Sequence, residues 1–284
     1  DEGIELLQRM KTKNILADIK HTSLFARQQL YSFGLHDNNW PLVCTHAGLT
    51  GISFTERGRY FLSARKISGD FLRVRQYKPI GYLQGTSFNA SSINLYNEDV
   101  VEIVRNGGII GLSLDQRILG TPDDLMMAPG FTEDFYEEEI ISPGEREFFR
   151  GVPRPDVDDM KILKREDISL ADKQHAPLFH ARHFMNQLFH LFVIAESSGI
   201  GIATMANHIC IGSDFDGMIN PVDCCPNVTG LSAFRQLLLD HFSDWENELF
   251  EQTNLRVSTV ISANQLLEKL FYANGAAFLQ SRLP

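Results

Sequence analysis

The sequence has no apolar run approaching the roughly 18 residues that a bilayer-spanning helix needs. Its longest apolar helical stretch, 184–195, is broken by Asn186, Gln187 and His190. It has no excess of positive charge either. Its 26 Lys and Arg stand against 36 Asp and Glu, a net charge of -10, which argues against nucleic acid or an anionic membrane surface as the main partner. The four cysteines (Cys44, Cys210, Cys224, Cys225) form no C-x-x-C pair, so free thiols in a reducing compartment are expected. No signal segment is visible, and a cytoplasmic location is expected. Because the sequence opens on Asp1 and not on Met, a secreted or periplasmic location stays open. There is no internal repeat, no low-complexity tract, no H-E-x-x-H and no H-x-D.

What is present is a series of short apolar runs that end in polar, chemically capable residues. Strands are expected over 14–20, 41–45, 108–114 and 208–213. Between them lie helical patterns over 3–13, 22–34, 94–106 (with Asn94 as a possible cap) and 177–198, followed by helices over 231–243 and 262–271. Strands alternating with helices imply an α/β domain with a parallel sheet. One domain over 1–284 is expected, with two long insertions at about 50–92 and 118–174. The first insertion is basic. The second is acidic around Glu133–Glu147, which reads as a solvated loop. Long loops following strands are candidates for lids, specificity loops or oligomer contacts.

The strand ends carry the chemistry. Strand 14–20 runs into His21, strand 41–45 into His46, strand 108–114 into Asp115-Gln116-Arg117, and strand 208–213 into Asp214. In a (β/α)8 barrel, catalytic groups collect at the C-terminal strand ends. Imidazoles suit zinc, and a neighbouring carboxylate can take a proton from an attacking water. His180, His183 and His190 on the 177–198 helix read as packed histidines, because no glutamate accompanies them in a zinc-binding spacing.

Three segments carry a family resemblance: Asp18-Ile19-Lys20-His21-Thr22-Ser23, Thr45-His46-Ala47-Gly48, and above all Gly212-Ser213-Asp214-Phe215-Asp216-Gly217. Together with Ala273-Asn274-Gly275 and Phe278-Leu279, they resemble the C-terminal half of the membrane (renal) dipeptidase family, metallopeptidases of the amidohydrolase superfamily. The resemblance implies a TIM-like barrel of the metal-dependent hydrolase type, here lacking its N-terminal strands, and a binuclear zinc centre in the intact fold. It implies that His21 and His46 hold zinc and that Asp214 is the catalytic base and acid. It further implies a small-molecule or dipeptide substrate cleaved at an amide bond, and a homodimer.

Two features depart from the family pattern. Its H-x-D pair and bridging glutamate have no counterpart, and Ile93 stands where the family carries a carboxylate-binding arginine. An aliphatic side chain does not replace a guanidinium clamp. Arg117 is the expected substitute for substrate binding, with the arginines of 57–75 as alternatives. Two other readings accompany the dipeptidase-like one: a catalytically incomplete barrel serving as a scaffold or assembly module, and a superfamily hydrolase of cyclic amides or esters.

Overall fold

A computed structural model describes residues 2–67, 69, 71–121, 136–148, 176–217 and 220–282. The centre is a four-stranded parallel sheet in the order β1 (Ala17–Asp18), β2 (Leu42–Ala47), β5 (Ile109–Leu112) and β7 (Ile209–Ile211). All three neighbouring pairs are parallel. The chain is therefore α/β, with every strand of this parallel sheet matching an apolar run read from the sequence. The strands are shorter than those runs. Beyond Asp18 the Ile19 amide still bonds the Val43 carbonyl of β2, and the backbone then turns at His21, where φ is positive. Residues 109–112 of β5 are buried on both faces, which explains the unbroken Ile-Ile-Gly-Leu pattern.

Helices Glu2–Thr12, Leu24–Phe33, Asn97–Arg105 and Ala176–Ser197 lie where periodicity places them. Ser23 caps the second through the Ala26 amide, and Gly34 ends it in the left-handed conformation. The third is capped by Tyr96, whose amide bonds the Asp99 carboxylate, and not by Asn94. Asn94 instead faces inward and bonds the Gly48 amide and the Asn89 and Ile118 carbonyls. The helix expected over 231–243 continues through Thr253. Helix Ala263–Glu268 runs through a π turn, Lys269–Ala273, into Asn274–Arg282.

The helix Ala176–Ser197 is the core's main support. Phe184 and Phe189 meet Phe234 and Phe242 of the Leu231–Thr253 helix edge to face, at centroid separations of 5.1 and 5.6 Å. Such pairs contribute ~0.5–1.5 kcal/mol beyond their burial. The polar residues that interrupt this helix's apolar run serve the loops around it. Gln187 accepts from the Leu49 amide and donates to the Leu119 carbonyl, and Asn186 accepts from the Tyr82 amide.

The insertions differ from their expected form. Strands β3 (Phe61–Lys66), β4 (Leu72–Tyr77) and β6 (Tyr136–Ile141) make a second, antiparallel sheet in the order β3-β4-β6. Part of the acidic stretch read as a solvated loop is therefore a paired strand followed by the helix Pro143–Phe148; residues 133–135 lie outside the described set. Arg57, in the 3-10 segment Phe54–Tyr60, is fully buried. Its guanidinium pairs with Glu139 at 2.6 Å and with Glu145. Glu139 also accepts from the Ser92 hydroxyl and the Gln76 amide. Acidic residues within the second insertion thus neutralise an arginine of the first.

His183 and His190 are packed, as read from the sequence, and burial pushes both down to about 3. The Ser87 amide donates to His183 Nε2, so its Nδ1–H donates to the Phe179 carbonyl. His190 Nε2–H donates to Asn97, and its Nδ1 accepts from the Tyr82 hydroxyl. Each ring is neutral, and protonation would destroy the accepting contact. The folded-state values lie below the ordinary 6.5, so the unfolded chain binds more protons as the pH falls below that value. Their contribution to stability is fully present above the unfolded value and is lost as acidity increases towards the folded one.

Two outcomes follow. The urea midpoint is expected to fall from about pH 7 to about pH 5, with His190→Gln reducing the drop; an unchanged drop in that variant would remove His190 from the account. Arg57→Ala removes the guanidinium that pairs with both buried carboxylates. It is expected to cost ~3–5 kcal/mol in denaturant unfolding, and a loss below about 1 kcal/mol would show that these carboxylates rehydrate freely.

Candidate functional site

The site is built by an irregularity in β2. Cys44 pairs with Ile110 of β5, but the next pair is Ala47 with Leu112. Thr45 and His46 together oppose the single residue Gly111, which is a β-bulge. The bulge turns the Thr45 carbonyl onto the sheet face, where it occupies the space that a Cβ would need at both Gly111 and Gly212. Both glycines are therefore required by close backbone approach. The bulge also brings the adjacent side chains of Thr45 and His46 within hydrogen-bond distance of each other.

At the C-terminal ends of β1, β2 and β7, three of the residues expected to carry chemistry converge. His21 Nε2 lies 3.1 Å from His46 Nε2, the rings being 5.1 Å apart and tilted by 57°. Asp214 Oδ2 lies 3.6 Å from His46 Nε2. His21 and Asp214 both have positive φ, 64° and 55°. For non-glycine residues this is an uncommon backbone state that concentrates at functional sites. Gly217 lies under the Asp214 carboxylate, with a Cβ there falling 2.6 Å from Oδ1, so the last glycine of the Asp214 motif leaves room for that side chain. Burial lowers the His46 pKa, opposed by the Asp214 charge and reinforced by Lys20 and His21; the ring is held neutral, as a metal ligand must be.

The turn at His21 is held from behind. Arg27, buried and paired with Asp99 at 3.1 Å, donates to the carbonyls of Thr22, Ser92 and Asn94. Lys20 donates from Nζ to the Ile93 carbonyl at 3.1 Å. Its pKa is lowered, chiefly by burial. Lys20, just past β1, and Arg27 thus place two cations against the backbone of residues 92–94.

Arg117 follows β5, the strand between those of His46 and Asp214, and so belongs to the same end of the sheet. Its side chain is about half exposed, and its Nε is 3.9 Å from the Asp115 carboxylate. Asp115 itself caps the short helix Gln116–Leu119. Arg117 is not in contact with the histidines.

Two imidazole nitrogens bound to one tetrahedral zinc at ~2.0–2.1 Å stand about 3.3 Å apart. The 3.1 Å His21–His46 separation fits that geometry for two of the four ligand positions. Among the described residues, no group of three or more His, Cys, Asp or Glu side chains gathers around one point as a complete metal cage. The four cysteines are free and stand apart from this chemistry; burial pushes the Cys44 thiol up to about 12 and that of Cys210 to about 11. No described helix is long and apolar enough to cross a membrane.

Thr45 is the site residue that sequence reasoning missed. A hydroxyl before a histidine on a regular strand points to the opposite face, and only the bulge brings it to the ring. A scan against protein-family models and a search of curated proteins found no match for this chain.

Gly212→Ala must displace the Thr45 carbonyl. It is expected to cost ~1–3 kcal/mol in chemical denaturation, against less than about 0.5 kcal/mol for the neighbouring Ser213→Ala. Equal effects would show that the bulge yields freely.

Proposed function

We propose that His21, His46 and Asp214 form part of the metal centre of a hydrolase that cleaves an amide bond in a small, dipeptide-like substrate. The observation that carries this reading is the meeting of two imidazole Nε2 atoms at 3.1 Å beside a carboxylate, at the C-terminal ends of three strands of one parallel sheet. The parallel sheet is read as part of a TIM-like (β/α)8 barrel of the metal-dependent hydrolase type. A homodimer belongs to the same reading, by family resemblance.

His21 and His46 would hold zinc, which supplies Lewis acidity and an acidified water when bound. Asp214, with its carboxylate partly open to solvent, accepts the proton of the attacking water and returns it to the leaving amine nitrogen. The strained backbone at His21 and Asp214 fixes both groups before substrate arrives. Arg117 supplies a positive charge on the same rim for a substrate carboxylate, in place of the arginine absent at Ile93.

A second reading is a catalytically incomplete scaffold, in which Ile93 replaces the carboxylate-binding arginine. Zinc content after dialysis against trace metal separates these readings. About one zinc per chain is expected, lost in both His21→Ala and His46→Ala. Asp214→Asn is expected to keep the metal while abolishing hydrolysis of a dipeptide panel. Equal zinc in the wild type and both histidine variants would overturn the metal centre. Bound zinc without hydrolysis in the wild type would overturn the hydrolase and leave the scaffold.

A further inference from the structure

The bulge in β2 places Thr45 between a carboxylate and a histidine. Thr45 Oγ1 lies 2.5 Å from Asp18 Oδ2 and 2.9 Å from His46 Nδ1. Asp18 is itself clamped, its Oδ1 accepting from the Lys20 amide at 3.0 Å and the Thr45 amide at 3.3 Å. A hydroxyl has one proton to donate, and a carboxylate only accepts. The Thr45 proton therefore points to Asp18, leaving a lone pair of Oγ1 towards His46. Nδ1 must then carry a proton and donate it. In a neutral imidazole so protonated, Nε2 is bare, and this is the atom that faces His21 at 3.1 Å.

We propose that Asp18 and Thr45 are positioning residues that fix His46 as the Nδ1–H tautomer and so aim its Nε2 lone pair into the site. The opposite tautomer would set two lone pairs against each other across 2.9 Å, or would turn the hydroxyl away from Asp18. Partners behind a metal-binding histidine fix ring orientation and tautomer in this way. The tautomer stands on the geometry alone; only the description of Nε2 as a zinc ligand rests on the proposed function.

The test is a long-range 1H–15N correlation spectrum of the metal-free protein at about pH 8, where free imidazoles are neutral. The His46 signals are identified by their loss in His46→Gln. The expected wild-type pattern is a protonated Nδ1 and a bare Nε2, kept in Thr45→Ser and shifted towards Nε2–H in Thr45→Val. Zinc affinity is expected to fall ~10–100-fold in Thr45→Val and to be retained in Thr45→Ser. A wild-type His46 protonated on Nε2 overturns the proposal, as does a Thr45→Val spectrum identical to the wild type. Should Thr45→Val fail to fold, the wild-type and Thr45→Ser spectra still decide the tautomer. A wild type with the expected tautomer but no zinc affinity keeps the positioning role and removes the metal centre, so the two readings fail separately.

Discussion

The close approach of the Thr45 carbonyl to Gly111 and Gly212 is the constraint on which the candidate site depends. It is a contact of backbone with backbone, so no side-chain rotamer can relieve it. One extra residue in β2 turns this carbonyl onto the sheet face, and the chain must be bare of Cβ there both in β5, at Gly111, and just past β7, at Gly212. The same step places Thr45 and His46 side by side, and with them the contacts to Asp18 and His21. A small residue just past β7 thus governs the direction of a ring in β2. The glycine that opens the Gly212–Gly217 motif serves the sheet, and the one that closes it serves the carboxylate.

The sequence shows this chemistry most clearly where it is local. An apolar run ending in small and polar residues marks a buried strand and its exposed end, and all four such runs are strands of one parallel sheet. The positions of His21, His46, Arg117 and Asp214 at one end of that sheet follow from the same pattern. Boundaries are less legible. Asn94 has the chemistry of a cap, but its amide is used to join three loop segments, while Tyr96 takes the helix end with help from Asp99. The bulge is not legible at all, because alternation along β2 gives no sign of an extra residue.

The antiparallel sheet was hidden for another reason. Its strands pair across sequence separations of about sixty residues or more between β4 and β6, and nothing in either segment names its partner. Charge gives an indirect signal: one insertion is basic and the other acidic, and their pairing turns two apparently solvated segments into one sheet. The helix over 176–197 was legible, but the tasks of its polar residues were not. Asn186, Gln187 and His190 interrupt an apolar pattern, and they bond the Tyr82 amide, the Leu49 amide and the Asn97 side chain respectively.

The burial of Arg57 between Glu139 and Glu145 has a consequence for how this chain can change over time. Neither insertion can be shortened past these residues alone, because the survivor would keep charge in the interior without its counterpart. Although β5 and the surrounding core sequence separate them in the chain, the two excursions form one heritable module. A homologous chain is expected to carry both or neither, and recombination between them would produce a poorly folded hybrid even with every residue of the parallel sheet intact.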